Sequence, residues 1–208
     1  MTTVLILRSS ILGDASASNL LIDEAIASLR ADNHTVQIIE RNLVSDVVPH
    51  FDGQAAAAML NEPAIPAEQN ARALSDTLIA EVKAADILLI GAPMYNFGIP
   101  SVLKSWFDHV LRAGVTFRYT EAGPEGLMTG KAAIIVQSRG GSYSEGPSSA
   151  LDAQTPHLRA LLGFIGIDDQ TYILAEQLAF GPEAREASIS AAKTKLMEAF
   201  GAVLDIAA

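Results

Sequence analysis

The sequence predicts an α/β fold: a five-stranded parallel sheet, doubly wound in the order 2-1-3-4-5, with helices on both faces. Three observations lead there. Short apolar runs alternate with helical patterns five times along the chain, the signature of strands joined by helical crossovers. Most of those runs are continuously apolar, as strands buried on both faces are. Right-handed crossovers then favour the doubly wound strand order. Half of the 208 residues are apolar, ample for one core, so a single domain over residues 1–208 is expected.

The elements follow in order. "TVLIL" (residues 3–7) is the first strand, and residues 18–31 form a helix with Leu21, Ile22, Ala25, Ile26 and Leu29 on one face. "TVQII" (35–39) is the second strand. A long segment, 41–66, then leads to a helix over 67–85, where Ala71, Leu74, Leu78, Val82 and Ala85 recur at helical spacing. "DILLIG" (86–91) is the third strand, followed by a helix over 100–112 that opens on Pro100, suited to a first helical position. Its stripe of Val102, Leu103, Trp106, Phe107, Val110 and Leu111 is wide, wider than one sheet contact needs. Residues 114–130 read as a second long loop, before the strands "KAAIIVQ" (131–137) and "QTYILA" (170–175) and the helices 156–165 and 183–204. Long loops in a compact fold usually cover or contact something.

Composition removes several function classes. With 24 acidic against 14 basic side chains the net charge is −10, unfavourable for a nucleic-acid surface or an anionic membrane. There is no cysteine, which excludes disulfides, thiolate nucleophiles and thiolate metal sites; redox chemistry here needs a borrowed group. No apolar run approaches the roughly 20 residues of a membrane span, and the start, "MTTVLILRSS", has no basic leader or cleavage site. The expected compartment is the cytoplasm. His34, His50, His109 and His157 are scattered and read as structural, and no metal site is expected.

In this architecture ligands bind beyond the carboxyl ends of the strands, where the strand order reverses. The rule selects three loops: "SSILGDASASN" (9–19), "APMYNFG" (92–98) and "SRGGSYSEG" (138–146). The first lacks the G-x-G-x-x-G of dinucleotide sites but offers Ser10, Ser16 and Ser18 beside a helix start, groups that could surround a phosphate monoester. The structural alternative is that Ser18 or Asn19 only caps the helix. In the third loop Gly140 and Gly141 let backbone amides approach a planar ligand, and the neighbouring Arg139 favours negative charge; alternatively the pair serves a turn. In the second, Met94, Tyr95 and Phe97 are either core residues or the apolar wall of a flat heteroaromatic ring whose polar edge meets Asn96. A phosphate at one end and a planar ring at the other describe flavin mononucleotide, FMN.

"SSILGDASASN", "APMYNFGIPSVLKSWFDHVLRAGVTFRYTEAGPEGLMTGK", "SRGG" and "LLGFIGI" together resemble the FMN-dependent NADH-azoreductase family, flavodoxin-like quinone and azo reductases, over essentially the whole chain. The resemblance implies a homodimer with two active sites at the subunit interface, non-covalent FMN, and NADH as donor for two-electron reduction of quinones and azo compounds; with one flavin face available and no second nucleotide motif in the chain, hydride transfer through flavin N5 is expected to be ping-pong. It carries flavin contact onto Ser10, onto Ser16, Ala17 and Ser18, onto Met94, Tyr95, Asn96 and Phe97, and onto Ser138, Arg139, Gly140 and Gly141; Phe164 matches an aromatic near the substrate. No side chain is implied as an acid or base: Asn96, Gly140 and Gly141 orient or polarise the flavin. Asp14, an acid beside the proposed phosphate, must point away. An electron-carrier flavodoxin shares the fold, but the two long segments suit a roofed substrate pocket. A receiver domain needs an acidic pair after the first strand and an Asp after the third, where this chain has Arg8, Ser9, Ser10, Ala92 and Pro93.

Overall fold

The computed structural model describes residues 1–31 and 36–207; Thr35, expected to open the second strand, and His34 lie outside the described residues. The chain runs β1 (Thr2–Arg8), α1 (Ala17–Ala31), β2 (Val36–Asn42), α2 (Gly53–Leu60), α3 (Pro66–Ala84), β3 (Ile87–Pro93), α4 (Ser101–Val110), β4 (Phe117–Thr120), β5 (Gly123–Gly126), β6 (Ala132–Ser138), α5 (Gln154–Phe164), β7 (Asp169–Ala175) and α6 (Pro182–Ala207). Five strands form one sheet in the order β2-β1-β3-β6-β7, every pair parallel. Leaving out the inserted β4 and β5, this is the expected 2-1-3-4-5.

The central strands β3 and β6 are buried at every position, which is why their sequences are continuously apolar. The pleat sends alternate residues to opposite sides. Leu5, Leu7, Leu88, Ile90, Ala133 and Ile135 join Leu78 and Val82 of α3, Leu103, Trp106 and Phe107 of α4, and Leu158 and Leu162 of α5 in one cluster. Val4, Ile6, Ile87, Leu89, Ile134 and Val136 join Leu21, Ile22 and Ala25 of α1 and Ala192, Leu196 and Phe200 of α6 in the other. Each face of the sheet thus has its own helical cover. The outer strand β2 ends in Glu40, Arg41 and Asn42, polar residues that suit an exposed sheet edge.

Four readings change. Most of the broad stripe of α4 is spent internally, Leu103, Trp106, Phe107 and Val110 being fully buried and Val102 and Leu111 half-buried against the same cluster; Pro100 stands just before the helix rather than at its first position. Segment 41–66 is not all loop: Asp52 caps α2, accepting from the Ala55 N–H at 2.8 Å. The count of five strands becomes seven among the described residues, because segment 114–130 holds the antiparallel hairpin β4–β5. Its strands are four residues each, and only Phe117 among them is buried, so the sequence carried no alternating pattern to find.

The hairpin is anchored against the end of α5. The backbone of Gly126 lies against the turn after α5 so closely that a Cβ there would sit 2.0 Å from Gly166 N, while Met128 N–H donates to the Ile165 carbonyl at 2.7 Å. Gly126→Ala should therefore destabilise the protein by about 1–3 kcal/mol, the usual cost of overpacking, or more because the obstacle is backbone. Gly53→Ala, with no atom within 4 Å of the new methyl, is the control and should be neutral. Urea unfolding of both variants checks this; equal midpoints would contradict it.

Candidate functional site

The loops after β1, β3 and β6 converge beyond the carboxyl ends of the strands. With the turn after β7 and the first turn of α6 they line a cleft of about 180 Å³, bounded by Ser10, Leu12, Ala15, Ser16, Ala17, Pro93, Met94, Tyr95, Ser138, Arg139, Gly140, Leu178, Ala179 and Arg185. A larger cavity, about 650 Å³, lies at the amino ends of the strands among Thr2, Ile87, Ala132 and Asp169, the end of a doubly wound sheet where ligands are not bound.

At the α1 end, Ser16 is the helix cap: its hydroxyl accepts from Asn19 N–H at 3.2 Å and lies 3.1 Å from Ser18 Oγ. The cap is thus Ser16 rather than Ser18 or Asn19. The N–H groups of Ala17 and Ser18 meet no acceptor among the described residues, the usual condition of a helix start. Asp14 is exposed and belongs to a separate polar depression with Arg8, Asn19 and Asp23.

Tyr95 joins two of the loops. Its hydroxyl accepts from Ile11 N–H at 3.1 Å and lies 3.2 Å from Ser10 Oγ. Tyr95 and Gly98 exchange backbone hydrogen bonds, each 3.1 Å, around a two-residue turn in which Asn96 and Phe97 both have positive φ, 48° and 72°. Asn tolerates that region; a bulky aromatic is strained there. Strain of this kind collects at functional positions. It sets the Phe97 ring 44 % exposed, edge-on to Tyr143 at 5.9 Å, while the Phe97 carbonyl accepts from Ala153 N–H at 3.1 Å. The amides of Asn96 and Phe97 are free of acceptors among the described residues.

In the third loop the backbone does one thing and the Arg139 side chain another. The carbonyls of Arg139, Gly140 and Gly141 accept from Leu178, Ala179 and Gln177 N–H, leaving the Gly140 and Gly141 amides free among the described residues. A Cβ at Gly141 would come within 2.9 Å of Tyr143 Oη, so a larger residue there would displace the Tyr143 ring. The guanidinium of Arg139 was expected to favour a ligand's negative charge. Instead it is buried and donates to Gln154 Oε1 (3.0 Å), Glu176 Oε1 (3.1 Å), Asp152 Oδ2 (2.9 Å) and Thr155 Oγ1 (2.7 Å). With two carboxylates against one cation, the group has no positive charge to spare. Asp152 is held below the usual carboxylate range: burial pushes it up, but bonds from the Thr155 N–H and hydroxyl and the Arg139 charge outweigh that.

Of the residues expected from sequence, Ser10, Ser16, Ala17, Met94, Tyr95, Ser138, Arg139 and Gly140 line the cleft. Ser18, Asn96, Phe97 and Gly141 adjoin it in the same loops. Phe164 stands apart, its ring 4.5 Å from Phe117 of the hairpin. His50, His109 and His157 are away from the cleft lining: His109 Nε2 is 3.1 Å from the Pro49 carbonyl, His50 Nδ1 is 3.3 Å from Ser105 Oγ, and burial, then the Lys104 charge, lowers the pKa of His157. Among the described residues no acid or histidine cluster could hold a metal, and no helix is long and apolar enough to cross a membrane. Sequence reasoning missed Leu178, Ala179 and Arg185; the rule that the loop after every strand faces the site would have found Leu178 and Ala179 in the loop after β7, and Arg185 follows in the first turn of α6.

The chain matches the family model described as the flavodoxin-like fold over residues 2–200. It is 50 % identical over 196 residues to an FMN-dependent NADH:quinone oxidoreductase of Hyphomonas neptunium, covering 94 % of each chain. To the protein of the same name from Escherichia coli K12 it is 48 % identical over 198 residues, 94 % of this chain and 97 % of that one. Among solved structures, azoreductase from Bacillus anthracis strain Sterne superposes with a TM-score of 0.89 at 26 % identity, over 96 % of this chain and 98 % of that one. An FMN-dependent NADH-azoreductase of the Ames Ancestor strain, in complex with FMN, gives 0.85 at 25 %, over 95 % and 99 %. The chain belongs to the flavodoxin-like family of FMN-dependent NADH:quinone oxidoreductases and azoreductases.

Proposed function

We propose that this protein is an FMN-dependent NADH:quinone oxidoreductase and azoreductase, a single unit over residues 1–208 working in the cytoplasm, where NADH is supplied. The observation that carries the reading is the set of backbone amides around the cleft that meet no acceptor among the described residues: Ala17 and Ser18 at one end, Asn96, Phe97, Gly140 and Gly141 at the other. The donors suit FMN. Hydroxyls of Ser10 and Ser16, with the α1 amides and helix dipole, fit a phosphate dianion. Pro93, Met94 and Tyr95 fit an apolar ring, and the glycine amides fit its carbonyl edge, where fixed N–H dipoles also favour negative charge. Bound there, FMN supplies hydride transfer at N5, from NADH and on to a quinone or azo compound, two electrons at a time.

The chain's own residues orient that group and limit access to it. The strained Asn96–Phe97 turn holds an aromatic at the cleft edge, and Tyr143 backs it. The cleft, about 180 Å³, is below the ~300–1,000 Å³ of pockets that enclose a ligand of drug size, so a planar ring would stand partly uncovered. We propose that a second copy of the chain completes the enclosure, giving a homodimer with both sites at the interface. Exposed Leu12, Phe97, Tyr119 and Leu151 support this, and Phe164 is proposed to meet the substrate from the hairpin side. Light scattering should give twice the 21.9 kDa of the chain; a monomer with full activity would rule the shared site out.

Ser16→Asp keeps a competent helix cap, since Asp caps as well as Ser, but sets a carboxylate where the phosphate is expected. The variant should unfold at an unchanged midpoint yet bind FMN at least about tenfold more weakly, a penalty of roughly 1.4 kcal/mol, as read by titrating apoprotein with FMN and following flavin fluorescence. Undiminished binding would move the phosphate elsewhere. The wild type should be yellow, bleach with NADH and recover with benzoquinone. With one cleft for both substrates, steady-state lines should be parallel in double-reciprocal plots, one NADH being consumed per quinone and two per azo bond cleaved. Intersecting lines would require a ternary complex and contradict the shared cleft.

A further inference from the structure

Two arginines line the cleft, Arg139 and Arg185, and they differ in what their charge is committed to. Arg139 is neutralised by Asp152 and Glu176. Arg185, in the first turn of α6, has no carboxylate partner among the described residues; the hydrogen bond of its guanidinium is to a neutral group, Nη2 donating to the Ala15 carbonyl at 3.3 Å. That contact crosses from α6 to the short turn Gly13–Ala15 that delivers the chain to Ser16. The guanidinium is half-buried on the wall shared by the cleft and the groove between α1 and α6, where Leu20, Ile189 and Lys193 also lie. Its acidic neighbours on the helix, Glu183 and Glu186, are exposed and make no ion pair with it. In a chain of net charge −10, an unpaired cation beside hydroxyls and a helix start is the one charge of the cleft wall still available to an anion.

Resting on the FMN reading above, we propose that Arg185 is a specificity residue: it pairs with the phosphate of FMN and makes the cleft select FMN over riboflavin, the same ring without the phosphate. A guanidinium next to a phosphate oxygen forms charge-assisted hydrogen bonds stronger than hydroxyls or amides supply. The bond to Ala15 holds the side chain on the phosphate side of the cleft in advance, which lowers the ordering cost of binding. Because the site is open to solvent, the attraction is screened by salt.

The test compares FMN and riboflavin binding to apoprotein by fluorescence titration. Arg185→Gln should weaken FMN about tenfold, leave riboflavin within twofold, and flatten the dependence of FMN affinity on sodium chloride; Arg185→Lys, which keeps the charge, should hold FMN affinity within threefold of wild type. Unchanged riboflavin binding also certifies that the variant is folded. The proposal is overturned if Arg185→Gln binds FMN within twofold of wild type, if FMN and riboflavin weaken in equal proportion, which would mean that the residue only shapes the Ala15 turn, or if lysine behaves as glutamine does. Wild-type apoprotein that binds neither flavin would instead overturn the cofactor reading, before any variant is examined.

Discussion

The buried guanidinium of Arg139 is the contact on which the carboxyl end of the sheet depends. A lone charge at that depth would cost several kcal/mol, and only carboxylates with further hydrogen bonds make it tolerable. Meeting that requirement draws four parts of the chain together. Gln154 and Thr155 come from the start of α5 and Asp152 from just before it, Glu176 from just after β7, and Gln154 Nε2 passes the link on to the Ala92 carbonyl of β3 at 2.7 Å. Glu176 in turn accepts from the N–H groups of Tyr143 (2.7 Å) and Ser144 (3.3 Å). The 139–144 loop is therefore fixed from beneath by its own side chain, and the direction of the free Gly140 and Gly141 amides follows from that anchorage.

A second constraint acts from the other side of the cleft. Tyr95 ties the loop after β3 to the loop after β1 through its hydroxyl, and the bonds between Tyr95 and Gly98 force Asn96 and Phe97 into left-handed backbone. The cost, of order 1–3 kcal/mol per strained residue, is carried by contacts on both flanks: the Phe97 carbonyl to Ala153, and the ring to Tyr143. Since Ala153 immediately precedes α5 and Asp152 precedes it in turn, the strained turn and the arginine cluster share one support. The two halves of the cleft are mechanically joined.

The sheet was legible because β3 and β6 are buried at every position and so write themselves as unbroken apolar runs; the strand order followed from the count of five alternating strands and the preference for right-handed crossovers. The three loops were legible for the same reason, since topology selects them before any motif does. What escaped had no one-dimensional trace. The hairpin has four-residue strands with little burial, and α2 is too short for a helical period to emerge. Arg139 stands beside two glycines in sequence, but nothing in that adjacency says that its side chain turns inward to acids placed 13 and 37 positions later. Arg185 is 170 positions from the Ala15 carbonyl it meets, a juxtaposition that only the winding of the fold creates.

The crossing of Gly126 over Gly166 bears on how the sequence can drift. Many tight contacts relax by exchange, a larger residue on one side being offset by a smaller one on the other. Here both partners already have the smallest side chain there is, and Gly166 also holds a positive φ of 91°, so neither position can compensate for the other. Variation is left to the hairpin tip, around Glu121 and Ala122, which is exposed. A descendant that lost either glycine would have to carry the hairpin along another route, and with it the exposed Tyr119 that it presents.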